Sequence, residues 1–273
     1  MSGLKFVLVS VTSLSALKTA WPLRFIGQNF HIMISLGKPL DTRRTFEHVK
    51  VHFDYDDLLS ETTDNGRMYF TEDRKKYPSI TTVLSILSRD GIAAWRRRVG
   101  DAEADRVSRI ATTRGSAVHQ IVEDYIDNKP DYDAGYFPHI LENFQDIKFI
   151  IDKRMGKVYA QEQPLYSHHL GVAGRVDCVA EFDGKLSIID FKTSKKRKTR
   201  SHCYNYFMQE AAYAIMWEER TGMPITQLVT VMSVDNDHPL VFVEQRDDWT
   251  EKLNATIEQY RAEQAEASED HGS

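Results

Sequence analysis

Apolar positions recur along this chain with two periods, and the switch between them divides it. Over residues 78–88, Ile80, Val83, Leu84 and Leu87 keep helical spacing, and Pro78 suits the first turn of that helix. Residues 91–99 predict a second short helix and 101–127 a long one. A fourth is predicted over 138–153, with Ile140, Leu141, Phe144, Ile147 and Ile151 as its apolar stripe. The period then drops to two, predicting strands over 157–166, 172–182 and 185–193. Helical spacing returns over 204–220 and stops at Gly222 and Pro224. Strands over 227–234 and 240–244 flank an Asn236-Asp237 turn, and an amphipathic helix over 247–265 closes the pattern. This order predicts an α/β fold: a mixed central sheet flanked by helices, preceded by a helical N-terminal half.

The stretch GRVDCVAEFDGKLSIIDFK, residues 174–192, is two strand-like runs broken by Asp183-Gly184, the signature of a hairpin with a two-residue type I′ turn. If Phe182 faces Lys185, the same register sets Asp177 directly opposite Asp190, with Cβ atoms ~5 Å apart, where like charges destabilise a sheet. Lys192 shares their face, because side chains alternate along a strand. Taken singly, each acid reads as a strand end or a loop residue. Together in one register, with Asp190 inside the apolar run LSIIDF where an unpaired charge is costly, they read as a site. A divalent cation between the carboxylates would convert repulsion into binding, and hard oxygen donors suit Mg2+, with Mn2+ as an alternative. A tight turn at His168-His169 would place Glu162 opposite Arg175 and bring it to the same patch. On the long helix, Gly115, His119 and Glu123 stack on one face at successive four-residue steps.

The chain has 273 residues, 41% of them hydrophobic, enough for one substantial core. We expect a single domain over 77–266, made of a helical part (77–155), an αβ core (156–246) and a C-terminal helix (247–266). A loop-rich lead-in with one or two short strands (41–76) precedes it, and a polar tail (267–273) follows. Residues 1–40 contain Lys5, Lys18, Arg24 and Lys38 but no acid before Asp41. They read as non-native sequence ahead of a later start such as Met33, as a transit peptide or as a weak secretory signal. No run reaches the ~18 apolar residues that span a bilayer. The formal charge of -5 argues against a general nucleic-acid coat, yet basic residues cluster at Arg96, Arg97 and Arg98 beside Trp95, and at Lys195, Lys196, Arg197 and Lys198. These clusters are either solvated charge runs or a phosphate-gripping surface with an aromatic platform. Cys178 and Cys203 are too few for an iron-sulfur cluster or a four-cysteine zinc site, and they fit a reducing compartment.

Four ordered blocks, PSITTVL, RGSAVHQIVEDYI, AGRVDCVAEFDGKLSIIDFKTSKK and YFMQEAAYA, combine an acid, an Asp-x-Lys and a Gln-x-x-x-Tyr helix. In that order they resemble the RecB-type branch of the PD-(D/E)XK nucleases, and within it the exonucleases of mitochondria and tailed phages, over roughly residues 77–246. The resemblance implies a restriction-endonuclease-like core. It also implies a Mg2+-dependent exonuclease that hydrolyses phosphodiester bonds in DNA, preferring single strands with free ends, in replication, repair, recombination or degradation. It implies that Asp177 and Asp190 bind metal, that the Phe191 backbone carbonyl adds a ligand and that Lys192 is catalytic. His119 would reach the metal, and Gln209 and Tyr213 would support the site or contact DNA. Glu162 matches no position of the motif, and Arg175 stands where a smaller residue is expected. The relatives point to a host cytoplasm or a mitochondrial matrix. An endonuclease on the same core, or a catalytically silent nucleic-acid-binding module, is the alternative.

Overall fold

A computed structural model of the protein describes residues 44–63 and 65–270, so the acid-free leader lies outside the described residues. The lead-in contributes two short strands, β1 (Leu59–Thr63) and β2 (Gly66–Phe70), and β3 (Lys76–Pro78), which begins at its last residue, completes an antiparallel sheet of three. Pro78 therefore ends a strand, paired with Met68, instead of opening a helix. The cap is Ser79, extended at φ -65 and ψ 145, whose hydroxyl accepts the Thr82 backbone N–H at 3.0 Å. The helix that follows, α1 (Ile80–Leu84), is short, because a 3-10 turn over Ser85–Leu87 breaks what the spacing presented as one helix. Next come α2 (Arg89–Val99), α3 (Asp101–Ile126) and α4 (Pro138–Arg154), the last with its proline in the first turn, where no intrahelical N–H is missed.

The second half holds β4 (Met155–Ser167), β5 (Val172–Phe182), β6 (Lys185–Ser194), α5 (Tyr204–Thr221), β7 (Gln227–Val234), β8 (Leu240–Gln245) and α6 (Asp247–Asp270). The final helix takes in residues assigned by sequence to the polar tail. The sheet runs β4-β5-β6-β7-β8, antiparallel except between β6 and β7, which α5 joins as a crossover. It is the mixed sheet that the order of periods predicts. Ile121 of α3 and Phe144 and Ile151 of α4 pack on one face, against Cys178, Phe182, Ile189 and Val231. Phe207 and Trp217 of α5 and Leu253 of α6 pack on the other, against Val179, Ile188 and Leu228. Ile188 and Ile189 thus point into opposite apolar layers, and the β6 run reads as continuously hydrophobic because it is covered on both faces.

Candidate active site

Asp183 and Gly184 both take positive φ, 51 and 76, the backbone that a type I′ turn requires of its two central residues. The turn sets the ladder from Phe182–Lys185 to Cys178–Ile189, and the next facing pair is Asp177 and Asp190. The pairing of β5 with β6 stops there. Beyond it β5 continues against β4, as far as Val172, with a single bridge from Ala173 to Ser79, and β6 continues against β7, as far as Ser194. The sheet divides at the two carboxylates, where facing like charges would burden a ladder most.

Asp177 Oδ2 accepts the Phe191 backbone N–H at 3.0 Å and lies 3.5 Å from His119 Nδ1. His119 Nε2 sits 2.6 Å from the Phe191 carbonyl oxygen, and since a carbonyl only accepts, that nitrogen carries the hydrogen. One peptide segment thus fixes both Asp177 and His119, with the Phe191 carbonyl engaged by the imidazole. Asp190 is buried and pairs with Lys192, itself 20% exposed. Burial pushes the Asp190 carboxyl up to about 6, with the Lys192 charge pulling the other way and the Asp177 charge adding to the rise. Burial alone would lower the Lys192 ammonium, but the Asp190 and Asp177 charges outweigh it and hold Lys192 above its ordinary value, so it stays charged.

Glu162 departs from its expected register. Gln161 faces Cys178 and Pro164 faces Arg175, which puts Glu162 opposite Asp177 rather than Arg175. The connection from Ser167 to Val172 is longer than a tight turn at His168-His169, and the resulting shift is even, so Glu162 keeps its face and still reaches the patch. Its backbone is left-handed, at φ 46, and its carboxyl is pushed up to about 7, first by burial and then by the Asp177 charge. One ligand atom from each of His119, Glu162 and Asp177 lies within 4.8 Å of the others. A cavity of about 350 Å³, lined by His119, Gln120, Glu123 and Glu162, adjoins them. Two carboxylates and an imidazole form a donor set that suits a divalent cation. Asp190 Oδ2 meets the Lys192 ammonium, while Oδ1 has no hydrogen-bond partner among the described residues, so acceptor capacity is left over beside the Lys192 charge.

Glu210 of α5 was missed by sequence reasoning. It is buried, accepts the Thr230 hydroxyl through Oε1 and leaves Oε2 without a hydrogen-bond partner among the described residues. Burial, then the Asp190 charge, holds its carboxyl well above the ordinary carboxylate range. The available signal was an acid beside Gln209 in the run YFMQEAAYA, whose other positions are aromatic or apolar. Tyr206, one turn earlier, was also missed, and Lys192 Nζ lies 5.3 Å from its ring centroid. Gln209 Nε2 donates to the Tyr213 hydroxyl at 3.3 Å, and Tyr213 packs over Gly174, so this pair braces α5 against β5. Arg175 donates to the Glu162 carbonyl and, at 2.7 Å, to Asp57, which ties the lead-in to the bend of β4 and accounts for a long residue there.

The basic clusters divide. Arg96 is held by Asp101 and Asp105, each at 2.8 Å, while Arg97 and Arg98 are exposed and Trp95 is half-buried. Among the described residues, no hydrogen bond or ion pair joins Trp95, Arg96, Arg97 or Arg98 to Glu162, Asp177 or Asp190. Lys195 and Lys196 are exposed directly after β6, Arg197 faces Asp237 at 3.5 Å, and Lys198 donates to the Tyr206 hydroxyl at 2.5 Å.

Mitochondrial genome maintenance exonuclease 1 of Mus musculus is 27% identical over 150 residues, 51% of this chain and 44% of that protein, so the match spans less than half of the relative's length. A crystal structure of a candidate exonuclease from Eubacterium rectale aligns with a TM-score of 0.36 at 14% identity, covering 55% of this chain and 65% of that one. The profile of the PD-(D/E)XK nuclease superfamily matches residues 90–272, from α2 through the divided sheet into the tail. By that match the chain belongs to the PD-(D/E)XK nuclease superfamily.

Proposed function

We propose that this protein is a divalent-metal-dependent deoxyribonuclease that shortens single-stranded DNA from its ends, with Mg2+ as its metal. The observation that carries the reading is the convergence of His119, Glu162 and Asp177 at the division of the sheet, beside a Lys192 that Asp190 keeps charged. His119, Glu162, Asp177 and Asp190 are the residues that would hold the metal, and the bound cation would supply a water acidified toward neutral pH and charge to offset the phosphate. The protein's own groups do the rest. Lys192 places a fixed positive charge where negative charge develops on the attacked phosphate, and the buried Asp190 holds that ammonium in position. The Phe191 backbone sets Asp177 and His119 before substrate arrives, so little reorganisation is needed at the reacting centre. Lys195 and Lys196, exposed at the end of the strand that bears Lys192, grip neighbouring phosphates. The mouse relative is named an exonuclease, which supports end-dependent over internal cleavage.

The test compares end-labelled linear single strands, linear duplex and closed single-stranded circles, each with Mg2+ and with chelator. Metal-dependent shortening of linear single strands, with circles spared, is the expected result. Circles cut at the same rate would make the protein an endonuclease, and no cleavage with any divalent metal would leave only a binding module.

A further inference from the structure

Two larger cavities lie outside the carboxylate cluster, and their linings differ in sign. One, of about 580 Å³, carries the acids Glu142, Asp146, Asp235 and Asp237 against His139, His238 and a single arginine, Arg114, which Asp235 already pairs at 2.6 Å, so its balance is unfavourable to phosphate. The other, of about 710 Å³, runs between α1, the start of α5 and α6, and none of its lining residues is an acid, in a chain whose formal charge is -5. Its floor is apolar: Leu84 and Met208 are buried there, and Leu87 is 49% exposed. Its rim carries Lys198 and Lys252. Lys252 Nζ lies 4.8 Å from the ring centroid of Tyr204, which is 37% exposed, and Lys198 Nζ lies 4.8 Å from that of Tyr206. Tyr206 also links the groove to the reacting centre, since Lys192 Nζ approaches the same ring at 5.3 Å.

We propose that this groove seats an unpaired base of the DNA strand flanking the phosphate to be cleaved. The assignment rests on the nuclease reading above and goes beyond it by giving single-strand preference a structural cause. An aromatic wall and apolar floor match the face of a base, Lys252 on the rim matches a flanking phosphate, and the volume lies in the ~300–1,000 Å³ range of small-ligand pockets. A base held in a duplex is already stacked and paired, and reaching the groove would require flipping it out.

The test measures anisotropy of a short labelled oligothymidylate in chelator, so that binding is read without cleavage. A single abasic position is moved along the strand in turn. Wild-type protein should lose about tenfold in affinity when the abasic position is the one the groove takes, the low-to-middle range for stacking one base on an aromatic side chain. Tyr204→Ala, and separately Leu87→Trp, which fills the groove from an exposed position, should weaken the intact strand by a similar factor. Neither should weaken the abasic strand further, and Tyr204→Trp should restore affinity. The inference is overturned if both groove variants bind the intact strand as wild type does, as they would if an apolar peptide were the true occupant. It is also overturned if they weaken intact and abasic strands equally. The two readings separate in wild-type digestion: a protein that digests single strands yet is indifferent to the groove variants loses only this inference, whereas one that neither binds nor digests them loses both.

Discussion

His119 occupies two roles that a single substitution can separate. Its Nε2 bonds the Phe191 carbonyl and its Nδ1 faces Asp177, so it either tunes a cation site or braces α3 against β6. His119→Ala should raise the Mg2+ concentration needed for half-maximal cleavage. An unchanged metal titration with a lowered melting temperature would return it to structure. Glu210 makes a prediction about pH. Its folded carboxyl titrates well above the ordinary 4.5, so across that interval the unfolded chain has released the proton and the folded chain has not. Stability therefore falls as pH rises through that window. Glu210→Gln mimics the neutral acid at every pH. In chelator, its melting temperature relative to wild type should climb from acidic to mildly alkaline pH, and parallel curves would contradict the assignment. At this scale the sequence was legible where a short-range signal set the geometry. Asp183-Gly184 carried Asp177 to Asp190 because a two-residue turn of this type leaves one register. Glu162 reached the expected patch, but opposite Asp177 instead of Arg175, because its partner lies across a connection whose length no residue type dictates, and Glu210 was overlooked because burial of a helical acid depends on which strand lies beneath it.

Among the elements, α5 is positioned by an absence of side chain. A Cβ on Gly174 would stand 2.8 Å from Tyr213 Cε1 and 3.0 Å from its hydroxyl, inside normal contact with a rigid ring. Gly174→Ala should therefore cost about 1–3 kcal/mol, the usual range for overpacking, read as a lower denaturant midpoint. An unchanged midpoint would mean that α5 slides without penalty and that Gln209 and Tyr213 brace nothing. Long elements such as α3, α4, β5 and β7 were legible because their apolar spacing is sustained over many residues. The region around Pro78 was not. Proline is compatible both with a helix's first turn and with the end of an edge strand, and the choice was made by pairing with Met68 and by the Ser79 cap.

At the scale of the whole molecule, the charge pattern says more than the net charge. Arg96 is neutralised within its own neighbourhood, Arg197 faces Asp237 and Lys198 is tied to Tyr206, which leaves Lys195 and Lys196 as the exposed cations nearest to Lys192 in sequence. Neutralising Lys195, Lys196, Arg197 and Lys198 together should weaken single-strand binding. It should also flatten the slope of log affinity against log salt by ~0.7 for each phosphate the loop no longer grips. Changing only Lys195 and Lys196 should produce most of that effect, and an unchanged slope would make the loop a solvated charge run. These effects concern grip, whereas the central claim concerns chemistry at the division of the sheet. The direct measurement is single-turnover cleavage of an end-labelled single strand in Mg2+ by Lys192→Met, which keeps the side-chain volume and removes the charge, with folding checked by thermal unfolding. The rate should fall by at least ~10²-fold, as when a transition-state charge stabiliser is removed, and a folded Lys192→Met protein cutting at the wild-type rate would contradict the account.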